Sequence, residues 1–173
     1  KNINQLLASL DSQNFPKNKF EIIIVNDKSS DQTLQILNSY EKKIENLTIL
    51  NLDNTPQQWD NKIWALNEAI RHSKGEIILS TDGDCIPNNN WILNMASQFK
   101  LKSVGVVASF TPISGNSLFN KLIEYESLAQ DALCGLTLAK NLIFSCNGRS
   151  LGYRKKYFSD IGGFEGFHFV TGG

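Results

Sequence analysis

The sequence has 173 residues, the length of one domain and enough to bury a core, and its 41% hydrophobic and 20% charged shares are ordinary for a globular protein. Seventeen basic residues balance seventeen acidic ones, which excludes a net field drawing the chain to nucleic acid or an anionic membrane, so any phosphate binding is local. Three scattered cysteines (Cys85, Cys134, Cys146) with no CxxC pair exclude a disulfide framework and carry no zinc signature; they fit a reducing, cytoplasmic compartment, and no apolar run reaches the roughly 18 residues of a membrane span.

Ile3, Leu6, Leu7 and Leu10 recur at i, i+3, i+4 and i+7 and predict an opening helix. Phe20 to Val25 is a continuous apolar, β-branched run, the pattern of a strand buried on both faces. Ser29, Ser30 and Asp31 are capping residues before a helix carrying Leu34, Leu37, Tyr40 and Ile44. A second strand spans Leu47 to Leu52, and a helix with Ile63, Leu66 and Ile70 facing inward spans Asn61 to His72. Gly75 breaks the chain ahead of a third strand, Glu76 to Thr81. Beyond Pro87, Trp91, Met95 and Phe99 share a helix face, and Val104 to Phe110 reads as a fourth strand. Leu118 to Ala139 is a long helical stretch whose charges Lys121, Glu124, Glu126 and Asp131 exclude a span; it reads as core-packed or partner-facing. Leu142 to Cys146 and Leu151 to Tyr153 are short strand candidates, and Lys155 to Ile161 closes with a helix. Strict alternation of helix and strand predicts a single α/β domain over residues 1–173, a mostly parallel sheet flanked by helices. Such a sheet ordinarily begins with a strand, and the sequence stops directly after a turn, so the natural protein is expected to extend at both ends.

In an open parallel sheet, ligands sit beyond the carboxyl ends of the strands. Two strands end in acidic residues: one in Asn26-Asp27-Lys28-Ser29-Ser30-Asp31, the other in Asp82-Gly83-Asp84, and both are expected at the same edge. Two carboxylates so close repel, and Mg²⁺ or Mn²⁺ takes one or two carboxylates together with substrate phosphates. Gly83 removes the side-chain bulk that would keep the two acids apart. Alone, the tripeptide reads more readily as a polar turn after a strand. A calcium loop is excluded, because Ile86, Pro87 and Leu93 stand where its third ligand, glycine and glutamate belong. Asp27 can accept hydrogen bonds from a base or ribose, whereas Asp31 reads as a helix cap. Lys62, at the start of a helix, either meets a diphosphate as a point charge or belongs to a solvated face. Asn67 lies on that helix's inner face, Trp59, Trp64 and Trp91 read as packing, and His72 and His168 as structural or surface residues.

FEIIIVNDKSSDQT, KIWALNEAI, GEIILSTDGDCIPNNNWI and NGRSLGYRKKYFSDIGGFEG, in that order and spacing, resemble a family-2 glycosyltransferase of GT-A fold over essentially the whole chain. The resemblance implies a Rossmann-like α/β domain that binds a nucleotide-diphospho-sugar, with a UDP-sugar weakly favoured, together with Mg²⁺ or Mn²⁺. It implies that Asp27 contacts the base, that Asp82 lies by the ribose and metal, and that Asp84 is the principal metal ligand. Lys62 matches a basic position near the donor, although Asn61 stands where glycine is usual; Asn26 and Gly83 belong to the same donor motifs. Asn147, Gly148 and Arg149 match a strand lining the sugar and acceptor pocket, and Gly162-Gly163-Phe164 matches the turn before the acceptor-side helix.

The implied reaction is inverting transfer to an acceptor hydroxyl, on a sugar, a lipid-linked or a polymeric acceptor. Many members act at the inner face of a membrane, so a membrane-surface association is part of what the resemblance implies. The acidic pair that supplies the family's catalytic base is due beyond Gly173, and neither Asp160 nor Glu165 replaces it. Two further readings are a sugar-nucleotide nucleotidyltransferase and a non-catalytic nucleotide-sugar-binding domain. The first lacks a glycine-rich basic phosphate loop here.

Overall fold

Helices and strands alternate through residues 3–111, 117–139 and 148–166, the residues described by a computed structural model of the chain. They run α1 (Ile3–Asp11), a 3₁₀ turn (Lys17–Lys19), β1 (Ile22–Asp27), α2 (Thr33–Glu41), β2 (Leu47–Leu52) and α3 (Asn61–His72). There follow β3 (Ile77–Thr81), α4 (Trp91–Gln98), β4 (Val106–Ala108), α5 (Leu118–Ala139), β5 (Ser150–Arg154) and α6 (Lys155–Asp160). Each periodic segment of the sequence becomes the element expected of it, except that Leu142 to Cys146 lies outside the described residues.

The amphipathic face of α1 accounts for the main core. Leu6, Leu7 and Leu10 are buried together with Ile22 of β1, Leu37 of α2, Ile44 and Leu47, while Phe20, Ile24, Ile49 and Trp91 pack around them. Burying each such aliphatic side chain contributes about 1.5–3 kcal/mol, so this cluster fixes α1 and α2 on the β1–β2 layer. A second group, Ile92 and Met95 of α4 with Phe99 directly after it, is buried against the β3–β5 layer. Gln13 ties the two regions: its amide donates to Asn88 O at 2.7 Å, and its Oε1 accepts from Ile92 N at 3.0 Å.

The described strands form two sheets, one parallel and one antiparallel, in place of the one mostly parallel sheet expected. β1 and β2 pair in parallel, Ile22 opposite Leu47 through Asp27 opposite Leu52. The other three strands lie in the order β3-β5-β4, and β5 runs antiparallel to both neighbours. β5 thus starts at the edge where β3 ends, Ser150 lying opposite Thr81. At its centre Gly152 admits the Leu79 side chain from β3, since a Cβ there would lie 2.7 Å from Leu79 Cδ2.

α5 also departs from the core-packed reading. Leu122, Tyr125, Leu128, Leu133 and Leu136 are half or more exposed, while Ser127 is buried. No helix among the described residues is long and apolar enough to cross a membrane.

The Gly162-Gly163 turn has a local cause. Both glycines have positive φ, +80° and +61°. Gly163 N donates to Phe158 O at 2.9 Å and Gly162 N to Ser159 O at 3.0 Å, the paired bonds that end a helix through a left-handed residue. The Phe164 ring meets the Phe158 ring edge-on with centroids 4.8 Å apart, which supplies the apolar contact of that motif. The turn therefore terminates α6.

Candidate functional site

The described strands lie in two sheets, and α3 links them, packing on β1 and pairing by charge with the residue after β3. β1 and β2 are parallel, so Asp27 and Leu52 leave the sheet side by side. The loop after β2 leads to α3, whose first turn lies beside the end of β3: Lys62 Nζ is 3.1 Å from Asp82 Oδ1. Glu21, just before β1, accepts from Lys74 N and Gly75 N, just before β3, so the beginnings of those strands meet at the opposite edge. Antiparallel β5 contributes the third approach, because Ser150 pairs with Thr81 and so places Gly148 and Arg149 next to Asp82.

Asp60 holds the start of α3. Its Oδ1 accepts from Lys62 N at 2.9 Å and Ile63 N at 3.2 Å, an N-cap that fixes the Lys62 backbone. The Lys62 side chain itself is 54% exposed, and that of Asp82 is 31% exposed. A backbone bond from Cys85 N to Asp82 O, 3.1 Å, closes a turn in which Asp84 faces solvent. Gly83 is not demanded by packing: nothing lies within 4 Å of a Cβ built there. The glycine leaves the surface between the two acids open.

Asp27 is placed differently. Its Oδ1 is buried and accepts no hydrogen bond, with Lys28 Nζ at 3.7 Å as its charged neighbour. Buried acceptors are nearly always satisfied, so an unmet carboxylate oxygen at this edge suits a ligand N–H or hydroxyl. Lys28 has φ of 52°, in the left-handed region that non-glycine residues seldom occupy and that clusters at functional sites. Its ammonium reaches Thr55 Oγ1 at 3.4 Å and so joins the loops after β1 and β2.

Asn26 is buried and committed within the fold. Its amide donates to Asn51 Oδ1 at 3.0 Å and accepts from Ser29 N at 3.4 Å, so it shapes the loop that presents Asp27. Asp31 is not the N-cap of α2, a position held by Gln32, but it accepts from Thr33 N at 3.0 Å, and its hydrogen bonds with Thr33 lower the pKa of its carboxyl. Arg149 Nη2 donates to Ser127 Oγ at 2.9 Å, so α5 orients it. Asn147 lies outside the described residues, as do Cys146 and His168. His72 is exposed and bonds Glu68 O at 2.8 Å through Nδ1.

Some placements carried no sequence signal. Trp91 Nε1 donates to buried Ser150 Oγ at 2.9 Å, which ties α4 to the start of β5. The Trp59 and Trp64 rings meet edge-on at 5.1 Å beside the Lys62 turn, and Trp64 Nε1 is buried without a hydrogen-bond partner. Arg154 reaches the carbonyls that close α4: Nη2 donates to Phe99 O at 2.7 Å and Leu101 O at 3.2 Å, and Nε to Val104 O at 2.9 Å.

Among the described residues no group of three or more His, Cys, Asp or Glu could hold a metal ion. The pair Asp82 and Asp84 nevertheless fits a hard divalent cation, which takes one or two carboxylates and fills its other positions with phosphate oxygens and water.

The family model for glycosyl transferase family 2 matches residues 1–162. The chain belongs to that family. Its relatives include glycosyltransferase AglE of Haloferax volcanii, 28% identical over 99% of this chain and 54% of AglE. Another is the poly(ribitol-phosphate) β-N-acetylglucosaminyltransferase TarS of Staphylococcus aureus, 38% identical over 56% of this chain and 16% of TarS. The GT-A fold is shared with the Pyrobaculum calidifontis mannosyltransferase PcManGT, solved in complex with GDP-Man and Mn²⁺, at a TM-score of 0.70 and 22% identity over 93% of this chain and 43% of that one. It is also shared with S. aureus TarS 1–349 in complex with UDP-GlcNAc, at a TM-score of 0.64 and 24% identity over 92% and 43%. This family-2 chain thus spans about half the length of AglE and less of the others.

Proposed function

We propose that this chain forms the donor-binding part of a metal-dependent glycosyltransferase. It moves a sugar from a nucleotide-diphospho-sugar, a UDP-sugar, to an acceptor hydroxyl with inversion at the anomeric carbon. The observation that carries the reading is the ion pair of Lys62 with Asp82 directly after β3, two residues before the exposed Asp84.

Each group has a part that its chemistry allows. Asp27 accepts hydrogen bonds from the base, for which its buried oxygen has unmet capacity. Asp82 and Asp84 hold a divalent cation, Mn²⁺ or Mg²⁺, which when bound neutralises charge on the leaving diphosphate. Lys62 and Arg149 add positive charge from either side, and Gly83 and Gly148 let the ligand approach the backbone, since a Cβ on either meets nothing within 4 Å. The acceptor is a hydroxyl of a sugar, lipid-linked or polymeric molecule; the TarS name, which specifies poly(ribitol-phosphate), supports a polymer. Action at the inner face of a membrane is consistent with the exposed leucines of α5.

Asp84→Ala removes one of two carboxylates and is expected to weaken Mn²⁺-dependent binding of UDP-GlcNAc at least tenfold, about 1.4 kcal/mol. Isothermal calorimetry with and without Mn²⁺ measures this. Unchanged affinity in the variant under both conditions would remove the metal from Asp84.

A further inference from the structure

Lys62 does something more specific than lend charge to the site. Its ammonium lies 3.1 Å from Asp82 Oδ1, on the carboxylate a divalent cation would use. Asp82 and Asp84 are separated by one residue, and among the described residues the ion pair with Lys62 is the charge compensation seen for either acid. The geometry also lets the pair open. The Lys62 backbone is fixed by the Asp60 cap, while its side chain is 54% exposed and has room to turn about its own stem.

We infer that Lys62 is a counter-ion latch that couples metal entry to donor entry. This rests on the function proposed above. With the site empty of nucleotide, the ammonium neutralises Asp82 and competes with Mn²⁺ or Mg²⁺ for it. A cation settling between Asp82 and Asp84 is repelled by the ammonium for as long as the lysine stays on Asp82. An incoming diphosphate would supply acceptor oxygens for the ammonium and further oxygen ligands for the cation. Lysine therefore moves from carboxylate to phosphate as the cation takes its place. Metal binds weakly alone and well with nucleotide, and by linkage the nucleotide gains by the same factor. A lysine that only touched phosphate would leave the affinity for metal alone unaffected. The two roles are therefore separable.

The test measures Mn²⁺ affinity of the chain by the loss of the free-ion electron paramagnetic resonance signal, without and with saturating UDP, in wild type, Lys62→Met, Lys62→Gln and Lys62→Arg. Removing the ammonium is expected to tighten Mn²⁺ binding in the absence of UDP by about 2–5-fold, the scale of a partly exposed ion pair. It also weakens UDP binding, so the ratio of Mn²⁺ dissociation constants without and with UDP falls by at least as much. Lys62→Arg keeps a cation in place and retains most of the coupling. The latch is overturned if Met and Gln leave Mn²⁺ binding unchanged or weaker in the absence of UDP while UDP affinity drops, which identifies a plain phosphate contact. It is equally overturned if neither affinity changes. A wild-type chain that binds neither Mn²⁺ nor UDP overturns the proposed function along with the latch.

Discussion

Gly152→Ala probes the strand that brings Arg149 to the site. Gly152 is paired with Leu79 on one side and Val107 on the other. A Cβ there would sit 2.7 Å from Leu79 Cδ2, 3.2 Å from Phe99 Cε2 and 3.4 Å from Met95 Cε. Carbon atoms rest at about 3.5–4.0 Å, so the methyl intrudes by about 1 Å on Leu79 and by a few tenths on α4. The Leu79 methyl ends a half-buried side chain and can turn aside, which keeps the overpacking cost near the low end of about 1–3 kcal/mol. Loss of glycine's freedom in the unfolded chain offsets about 0.4–1 kcal/mol. The net expectation is about 1 kcal/mol of destabilisation. With a urea slope of about 2 kcal/mol/M, the midpoint drops by about 0.5 M. Urea unfolding followed by the fluorescence of Trp59, Trp64 and Trp91 measures it. In a Leu79→Ala background the clashing methyl is gone, and the same glycine replacement should cost less by an interaction energy of about 0.5 kcal/mol or more. Equal drops in both backgrounds, or a more stable Gly152→Ala protein, would refute this packing of β5 against Leu79.

Two other outcomes follow from residues around the same strand. Burial pushes the Tyr153 phenol from its usual 10 up to about 12. The folded state then holds the proton more tightly than the unfolded chain, so this stabilisation is intact below pH 10 and is lost as pH rises towards 12. At about 1.4 kcal/mol per pH unit the loss is about 2–3 kcal/mol; it should appear in alkaline unfolding of wild type and vanish in Tyr153→Phe, and superimposable curves would show a phenol that titrates normally. Arg154→Lys replaces a fork reaching three carbonyls by a single ammonium. It should cost about 1–2 kcal/mol and lower the melting temperature by about 2–8 °C; an unchanged melting temperature would mean that those bonds carry no net stability.

Most of the element order was legible in the sequence, because period is a local property. The apolar spacing of Ile3, Leu6, Leu7 and Leu10 could bury only as a helix, and the run from Phe20 to Val25 only as a strand. α3 occupies the span Asn61–His72 read from its pattern, capped by Asp60 just before it. The acidic turn after β3 was likewise legible as a candidate site, whereas the N-cap of α2 falls on Gln32 and not on Asp31.

Partners distant in sequence were not legible. Alternation suggested a mostly parallel sheet, yet β5 runs antiparallel, and that reversal is what carries Arg149 to the end of β3 where Asp82 lies. A parallel β5 would start at the opposite edge. Nor could sequence show that Asn26 is occupied by Asn51 and Ser29, that Lys28 has positive φ, or that Lys62 rests on Asp82. Periodicity determined which residues point inward on α1 and α4, since that depends on neighbours a few positions away, but not on α5, whose leucines are exposed. Strand direction and ion pairing depend on how loops return the chain through space, so only the tertiary structure decided which charges meet at the site.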